Sequence, residues 1–327
     1  MNAMTAQVPW LEVYDLRVSF PTREGTVRAV DGIDLTINGR ETVALVGESG
    51  CGKSVTALAL ARLLPGAGTA IGGRVLLKGQ DVLALPEPQL RDLRGRVISY
   101  IFQDPASSLN PVLTVGDQIG EALRLHRRGV NVRDEVVRLL RMVGLSDPER
   151  RARSYSHQLS GGMQQRVMIA MALACHSEIL IADEPTTALD VTIQAQIFEL
   201  LNRLQAELKM AVLLITHNLG LVTANADRVY VMYAGRIVES GASAQVLQAP
   251  AHPYTRGLLA AVPRLRRAGT RMKGIRGSVP NPARLPLGCR FHPRCSLADE
   301  RCRKAEPGLA AATEGHSVRC HYWQQKT

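Results

Sequence analysis

One eight-residue segment constrains this chain more than any other: residues 47–54 read GESGCGKS. They fit the pattern G-x-x-x-x-G-K-[ST], in which glycines let the backbone curl so that several N–H groups point at one phosphate. Residues 42–46 are apolar and partly β-branched, as in a buried strand, and residues 55–64 favour a helix. A strand, a loop and a helix in this order place the positive end of a helix dipole against a bound anion. The segment therefore predicts a nucleotide site.

The loop offers both backbone and side-chain groups to a nucleotide. The ammonium group of Lys53 is expected to reach the terminal phosphates, and the hydroxyl of Ser54 is expected to bind Mg²⁺. Cys51 lies inside the loop and is expected to contribute its backbone. The residues of the segment predicted to bind the nucleotide are Gly47, Ser49, Gly50, Cys51, Gly52, Lys53, Ser54 and Val55.

Length and composition allow a large α/β protein without a membrane span. A chain of 327 residues can hold one large or two ordinary domains, and its hydrophobic content of 46% is that of a globular protein. No apolar run approaches the roughly 18–20 residues of a membrane-spanning helix. The N-terminus lacks the basic and then apolar pattern of a secretory signal. The chain is therefore expected to stay in the cytosol and to reach a membrane only through partner subunits.

Most of the net charge of +11 lies near the C-terminus. Residues 264–327 contain 14 Lys and Arg against 4 Asp and Glu, a balance of +10. This surplus fits a solvated basic surface, an anionic membrane surface or an acidic partner. Nucleic acid is disfavoured, because the basic residues lack interleaved aromatic side chains that could stack on bases.

Strand and helix patterns alternate along most of the chain. Residues 11–20 and 27–37 favour an opening antiparallel pair of strands, whereas the apolar spacing within 114–127 and 132–143 favours helices. Strands that alternate with helices imply a mostly parallel sheet. We therefore predict an α/β fold with a mostly parallel sheet core, an antiparallel β subdomain, a helical insertion and a small, irregular, cysteine-rich C-terminal extension.

The character of the chain changes after residue 241. Short helices come first, and a basic stretch that is rich in Pro and Gly follows them. We predict a nucleotide-binding domain at 8–248, with a helical subdomain at about 105–165, and a C-terminal extension at 249–327.

Two acids follow a second apolar strand. Residues 179–182 are apolar and lead into Asp183 and Glu184. A carboxylate at the end of a buried strand beside the phosphates can hold Mg²⁺ through water, which is the role predicted for Asp183. Glu184 can reach the attacking water as a general base. The alternative is that both are solvent-facing acids at the end of a strand.

Residues 159–166, LSGGMQQR, resemble the signature sequence of ATP-binding-cassette (ABC) ATPases. Other motifs of that family occur in the same order along the chain. Gln103 resembles the glutamine of the Q-loop, residues 187–190 (TALD) resemble the D-loop, and His217 resembles the switch histidine. The resemblance covers about residues 11–241 and implies a phosphate-loop ABC ATPase that uses ATP and Mg²⁺.

The resemblance also implies a role for each matching residue. In the family two such domains face each other head to tail, and each signature closes on the ATP of its partner. His217 would contact the γ-phosphate, Gln103 would sense Mg²⁺ and the attacking water, and Phe20 would stack on adenine, although a Phe at a strand end also suits a core. The residues implied to act in catalysis are Glu184, His217 and Gln103. Those implied to hold Mg²⁺ are Ser54, Gln103 and Asp183. Those implied to contact nucleotide outside the phosphate loop are Phe20, Gln103, Ser160, Gly161, Gly162, Asp183 and Asp190.

The segment after the cassette resembles that of one particular group of ABC ATPases. Residues 249–255 (APAHPYT) resemble the His-Pro-Tyr-Thr element of oligopeptide and dipeptide importer ATPases, as does the Pro-rich stretch at 278–289. The implied function is an ATPase subunit that powers the import of di- or oligopeptides. The alternatives are the same role for nickel or a glycoside, a soluble ABC protein of translation or DNA repair, and a metal-dependent regulatory module.

Four cysteines cluster in the C-terminal extension, at Cys289, Cys295, Cys302 and Cys320. Disulfides are disfavoured in the cytosol, and the spacing is neither that of common zinc modules nor that of a ferredoxin. The family resemblance implies a [4Fe–4S] cluster. A bound metal would help to fold an extension that has little core of its own. The alternatives are free thiols and Zn²⁺, for which nearby histidines could serve as ligands: His292, His316 and His321.

Partners are implied by the resemblance as well. The chain has one cassette, so a second must come from a homologous ATPase subunit in a heterodimer or from another copy. Two transmembrane permease subunits would carry the cargo, and an extracytoplasmic peptide-binding protein would deliver it through the permease. Nucleic acid is not expected. The chain would lie peripherally on the cytoplasmic face of the cell membrane.

Overall fold

The computed structural model describes residues 8–66, 68–186, 189–261 and 274–324. The strands in these ranges are β1 (Leu11–Thr22), β2 (Gly25–Ile37), β3 (Thr42–Val46), β4 (Ala70–Leu77), β5 (Gln80–Asp81), β6 (Ile98–Ile101), β7 (Ile179–Asp183), β8 (Ala211–Thr216), β9 (Arg228–Tyr233), β10 (Arg236–Ala242), β11 (Ala310–Thr313) and β12 (His316–Val318). The helices are α1 (Lys53–Leu60), α2 (Glu87–Arg96), α3 (Pro105–Ser108), α4 (Val115–His126), α5 (Val132–Met142), α6 (Pro148–Arg151), α7 (Gly161–Leu173), α8 (Val191–Leu208), α9 (Leu219–Asn225), α10 (Ser243–Gln248), α11 (Pro253–Ala260) and α12 (Glu300–Lys304).

The described residues divide into two compact units. The first unit comprises those within 1–37, 42–83 and 215–327, and the second comprises those within 38–41 and 84–214. The domains predicted from sequence motifs follow a different division, and their boundaries stay a prediction.

β1 and β2 of the first unit form the antiparallel pair that the sequence predicts. Leu11 pairs with Ile37 at one end, and Thr22 pairs with Gly25 at the other. β4 pairs with the other edge of β1, which gives the strand order β2-β1-β4-β5. Leu11 and Val13 are buried on the same face, because successive side chains of a strand point to opposite faces. This sheet confirms the predicted antiparallel β subdomain.

A second set of strands in the first unit has the order β11-β12-β10-β9-β3. β3 and β9 are parallel, with Val46 opposite Val231, and the other neighbours are antiparallel. Nearly every residue of β3 and β9 is buried, which explains why their sequences are almost continuously apolar.

The C-terminal extension shares the core of the first unit. Tyr233 of β9, Tyr254 of α11 and Phe291 pack against one another, with ring centroids 4.6–5.4 Å apart. All three side chains are buried, in one hydrophobic cluster with residues of β3 and β9. The extension therefore obtains a core by packing on the strand set rather than by building one of its own.

The second unit contains the predicted helical insertion. Its strands β6 and β7 are parallel. The side chain of Thr114 caps α4, and the side chain of Asn131 caps α5. The apolar positions that predict these helices, such as Ile119 and Leu139, are buried. Among the described residues, no helix combines the length and the apolar character that crossing a membrane requires.

Candidate nucleotide-binding site

The predicted phosphate loop connects β3 to α1. Two of its glycines are required by close approaches of the backbone. A Cβ atom on Gly47 (φ +155°) would lie 2.3 Å from the carbonyl oxygen of Met232, and a Cβ atom on Gly52 (φ +109°) would lie 2.4 Å from that of Ala29. Any larger residue at either position would push the loop away from its supporting strands. The local structure is therefore the strand, loop and helix that the sequence predicts.

Lys53 is held against the inside of the loop. The residue is 5% exposed, and its Nζ donates to the carbonyl oxygens of Gly47 at 2.9 Å and of Glu48 at 3.0 Å. The ammonium group is thereby kept beside the backbone that would surround a phosphate. Cys51 is buried, and burial raises the pKa of its thiol. The carbonyl oxygen of Cys51 accepts the N–H of Gly235 at 2.8 Å. Cys51 therefore supports the loop through its backbone.

The remaining loop residues differ in exposure. Ser49 and Gly50 are exposed, whereas Ser54 and Val55 are half-buried in the first turn of α1. The first turn of a helix presents N–H groups to which an anion can bind. Phe20 is half-buried and pairs with Val27 in the β1–β2 hairpin, and its contact with adenine stays a prediction.

His217 follows β8 and is exposed. The next residue, Asn218, caps α9 by accepting the N–H of Gly220 at 3.0 Å. The histidine is thus presented between the end of a buried strand and the start of a capped helix. The phosphate loop, Phe20 and His217 belong to the first unit, whereas the other predicted nucleotide-binding and catalytic residues belong to the second.

The two acids of the second unit have different environments. Asp183 ends β7 and is 4% exposed. Glu184 follows in a left-handed conformation (φ +46°), and its Oε2 accepts a hydrogen bond from Nε2 of Gln103 at 3.0 Å. The structure therefore brings together the predicted base and the predicted glutamine sensor. Asp183 does not fit the alternative reading of a solvent-facing acid.

Sequence reasoning missed Tyr100. It lies on β6 opposite Ile181 of β7, and its hydroxyl donates to Oδ2 of Asp183 at 2.7 Å. Burial, assisted by the charge of Asp183, raises the pKa of Tyr100, so the hydroxyl stays a donor. The available signal was a phenol within a short, mostly apolar strand, because a buried Tyr hydroxyl needs a partner.

The signature segment begins α7, as predicted. Ser160 caps this helix, with its hydroxyl accepting the N–H of Met163 at 3.4 Å. Gly161 is exposed and Gly162 is half-buried, and a Cβ atom on Gly162 would lie 3.0 Å from a side-chain carbon of Ile193 in α8. The small residues thus let α7 begin close to α8.

Asp190 caps the neighbouring helix. Its Oδ1 accepts the N–H of Ile193 at 2.9 Å, so α8 begins with a carboxylate at its N-terminus. Leu189 lies within van der Waals distance of the position that a Cβ atom on Gly161 would take. The start of α8 therefore packs beside the signature segment. Residues 187–188 of the predicted D-loop lie outside the described residues.

A cavity of about 400 Å³ opens between α4, α5 and α6 of the second unit. Its lining includes Asp117, Arg124, Arg133 and Glu149. None of the residues predicted to bind ATP lines this cavity.

The four cysteines of the extension line one small cavity, together with His292 and His321. Burial, with a smaller contribution from the other three thiols, raises the pKa of Cys289 to about 11. His316 is engaged elsewhere, because its Nε2 lies 2.7 Å from Oε1 of the buried Glu239. Among the described residues, no group of three or more His, Cys, Asp or Glu side chains is placed to hold a metal ion. The predicted [4Fe–4S] cluster and the zinc alternative are therefore not confirmed.

Comparisons with known proteins agree with the motifs. Residues 30–187 match the family model described as ABC transporter. The dimeric ATP-binding cassette MJ0796, in a post-hydrolysis state with ADP and phosphate, aligns with a TM-score of 0.64 at 28% identity, over 71% of this chain and 98% of that one. A Clostridium perfringens protein from a cbiONQ ABC transporter complex aligns with a TM-score of 0.61 at 28% identity, over 73% of this chain and 91% of that one. The fold and the motifs thus define an ATPase of the ATP-binding-cassette class.

Relatives of similar length match the whole chain. A protein of Brucella ovis, provisionally named a peptide import ATP-binding protein, is 52% identical over 97% of this chain and 98% of its own length. A protein of Brucella abortus with the same kind of name is 51% identical over 98% and 97%, respectively. Residues 238–302 match the family model described as the C-terminal region of oligopeptide/dipeptide transporters. The chain belongs to the ABC transporter family.

Proposed function

We propose that this chain is the ATP-hydrolysing subunit that powers the import of di- or oligopeptides through a membrane ABC transporter. ATP would close two cassettes head to tail, and hydrolysis would release them. The observation that carries the proposal is the match of 97–98% of the chain, extension included, to relatives named as peptide import ATP-binding proteins. ABC proteins that transport many different cargoes share the cassette, so the cassette does not identify the cargo. The extension favours peptides, because it matches the C-terminal region of oligopeptide/dipeptide transporters.

The proposed ATP chemistry assigns one task to each residue. Lys53 and the loop N–H groups would bind the β- and γ-phosphates, and His217 would contact the γ-phosphate. Glu184 would accept a proton from the attacking water. Gln103 already donates to that carboxylate and would keep it oriented. Mg²⁺ bound with ATP would neutralise the phosphate charge.

The metal and partner contacts of the site follow the same scheme. Ser54, Gln103 and Asp183 would hold Mg²⁺, directly or through water. Within the second unit, the N-termini of α7 and α8 are both capped and lie close together. The residues that would serve the ATP bound to the other cassette are Ser160, Gly161, Gly162 and Asp190. Phe20 would stack on adenine.

The partners would be those of an importer. A homologous ATPase subunit would supply the second cassette as a heterodimer, and two transmembrane permease subunits would anchor the pair peripherally on the cytoplasmic face of the membrane. A peptide-binding protein outside the cell would deliver cargo to the permease. In the proposed division, the nucleotide-binding domain at 8–248 and its helical subdomain at 105–165 do this work, and the extension is 249–327.

Glu184→Gln tests the catalytic part of the proposal. The variant is expected to keep ATP binding and ATP-dependent dimerisation while turnover falls by about 10²–10⁴-fold, as for the loss of a positioned base. Phosphate release, equilibrium nucleotide binding and light scattering measure the three quantities. Lys53→Ala, which should lose ATP binding itself, is the matched control. Near-normal turnover of Glu184→Gln would reject Glu184 as the base.

Uptake by whole cells tests the cargo. Cells whose own copy is deleted should lose uptake of labelled di- and tripeptides, and the wild-type chain should restore it whereas Glu184→Gln should not. Restored uptake of nickel or of a glycoside, with peptide uptake unaffected by the deletion, would reassign the cargo and leave the ATPase role intact.

We also propose that the four cysteines of the extension hold a [4Fe–4S] cluster, with Zn²⁺ as the alternative. The support is that all four thiols border one cavity and are free. Such a group would act as a structural clip or a redox sensor rather than in catalysis. The ligands would be Cys289, Cys295, Cys302 and Cys320.

Metal and sulfide analysis of anaerobically purified protein tests this assignment. Iron with acid-labile sulfide would support the cluster, stoichiometric zinc would support the alternative, and no metal would leave four free thiols and end the proposal. Cys295→Ser should lose the metal and keep ATP binding. Unchanged metal content in that variant would remove Cys295 from the ligand set.

A further inference from the structure

The C-terminal extension reaches back to the phosphate loop at one residue, Glu48. The hydroxyl of Tyr254 accepts the backbone N–H of Glu48 at 2.8 Å. The guanidinium of Arg294 donates two parallel hydrogen bonds to the carboxylate of Glu48, from Nη1 to Oε1 and from Nη2 to Oε2, both at 3.0 Å. These partners lie 206 and 246 positions after Glu48 in the sequence. The backbone and the side chain of one loop residue are therefore both held from the extension.

Arg294 is itself firmly placed. Its side chain is only 5% exposed, and its Nε donates to the carbonyl oxygen of Arg276 at 2.9 Å. Nη2 also donates to the carbonyl oxygen of Gly277 at 3.2 Å, and the guanidinium lies 5.8 Å from the ring centroid of Tyr233. A planar fork that binds a carboxylate through two parallel hydrogen bonds fixes direction as well as distance. Arg294 can thus orient Glu48 rather than merely attract it.

Tyr254 is equally constrained. Its side chain is fully buried and packs edge to face on Tyr233, with ring centroids 4.6 Å apart. Its backbone N–H donates to Nδ1 of His252 at 3.0 Å. Burial lowers the pKa of His252 to about 3, so this ring nitrogen stays available as an acceptor at neutral pH. The phenol that meets Glu48 therefore sits on a rigid helix start.

One contact of Glu48 within the loop would change on ATP binding, whereas the N–H of Cys51 also donates to the carbonyl oxygen of Glu48, at 3.4 Å. Its carbonyl oxygen accepts from Nζ of Lys53 at 3.0 Å. In the proposed site, Lys53 would donate to phosphate oxygens instead, and Glu48 would depend more heavily on the contacts from the extension. Preorganised donors contribute affinity because the loop need not be ordered when the ligand arrives.

We infer that Arg294 and Tyr254 are positioning residues of the phosphate loop, which raise its affinity for ATP by holding Glu48 in place. Neither residue is assigned contact with the nucleotide. This inference rests on the ATP-dependent function proposed above. Because the chemical step depends on Glu184, the loss of either contact should raise KM for ATP and leave kcat nearly unchanged, the pattern of lost uniform binding.

Nucleotide binding by the full chain tests the inference, with kinetics alongside. Arg294→Ala should weaken ATP binding by about two- to fivefold, as for a partly exposed charge pair, with kcat within about twofold of wild type. Arg294→Lys should recover part of the loss, because it restores the charge but not the fork. Arg303→Ala, an exposed arginine of the same extension, is the matched control and should bind ATP as wild type does.

A double-mutant cycle separates positioning from general weakening. If Arg294 acts through Glu48, the double variant Arg294→Ala/Glu48→Ala should bind ATP no more weakly than the worse single variant. Fold-losses that multiply would overturn the inference. Tyr254→Phe keeps the buried ring and removes only the hydroxyl, so it tests the backbone contact even if Arg294→Ala folds poorly. A KM equal to wild type in Tyr254→Phe would remove Tyr254 from the assignment.

The outcomes distinguish the two proposals. A wild-type chain that fails to bind ATP would refute the proposed function. A wild-type chain that binds ATP, with Arg294→Ala binding equally well, would refute only the positioning role. A fall in kcat without a change in KM would also contradict it.

Discussion

Removing the hydrogen bond between Tyr100 and Asp183 would test how much it contributes to stability and to the orientation of the buried carboxylate. Tyr100→Phe would remove the hydroxyl that donates to Oδ2 at 2.7 Å. The ring would keep its place, because it packs on Phe102 with centroids 4.6 Å apart. The substitution is therefore close to a clean deletion of one hydrogen bond.

The size of the effect follows from burial and charge. Asp183 is 4% exposed, and a hydrogen bond to a charged group contributes about 1.5–3 kcal/mol to stability. Asp183 has a further interaction besides that with Tyr100, so the lower end of this range, about 1.5 kcal/mol, is expected. For a folding unit of about 150–250 residues, a loss of about 1.5 kcal/mol in stability should lower Tm by roughly 3–6 °C. Burial raises the pKa of Tyr100, so its hydroxyl should stay protonated and able to donate up to about pH 9.

Calorimetry and a Mg²⁺ titration of ATP hydrolysis measure the two consequences. Tyr100→Phe should lower Tm and raise the Mg²⁺ concentration needed for half-maximal turnover, because the carboxylate proposed to hold the ion is less well oriented. Tyr14→Phe is the matched control, since its hydroxyl also donates to a carboxylate, that of Glu12, but at an exposed site. Equal Tm and equal Mg²⁺ dependence for the two variants would refute the reasoning.

Two further predictions concern the loop and the pH dependence of stability. Gly47→Ala should lower the thermal unfolding midpoint far more than Gly50→Ala does. A Cβ atom added at Gly47 would lie 2.3 Å from a backbone oxygen, whereas a Cβ atom added at Gly50 would meet no atom within 4 Å. Similar midpoints for the two variants would contradict this prediction. Arg138, followed by Arg127, lowers the pKa of Glu135 from 4.5 to about 2. The stabilisation from Glu135 should therefore be complete above about pH 4.5 and lost as the pH falls toward 2. In urea unfolding, Glu135→Gln should be less stable than wild type at pH 7, and the gap should close near pH 2; a gap that persists at low pH would show that the ion pairs are not its cause.

The parts of the fold and site that could be predicted from sequence depend on short-range patterns. The phosphate loop is defined by the spacing of its glycines and Lys53, and α4 and α5 are defined by apolar periodicity and by caps at Thr114 and Asn131. Glu184 could be named from its place at the end of an apolar strand, and Gln103 from its match to a family motif, although their hydrogen bond could not be predicted.

The arrangement of the four cysteines depends on distances between side chains that no local sequence pattern determines. The iron–sulfur prediction came from the family resemblance and from the grouping of four cysteines near the C-terminus. The structure places the four thiols around one cavity without arranging them as a metal site. Metal geometry depends on distances between side chains, which spacing along the chain does not determine.

By itself, the sequence determined the class of protein: a nucleotide-binding loop, an acid pair at a strand end and a signature segment follow from residue types at fixed spacing. The tertiary structure decided which distant residues support them. Tyr100 meets Asp183 because β6 lies beside β7, and Arg294 meets Glu48 because the extension packs on β3 and β9. Such contacts arise only when buried apolar surfaces bring separate segments together, since the hydrophobic effect that joins them carries no directional code in the local sequence.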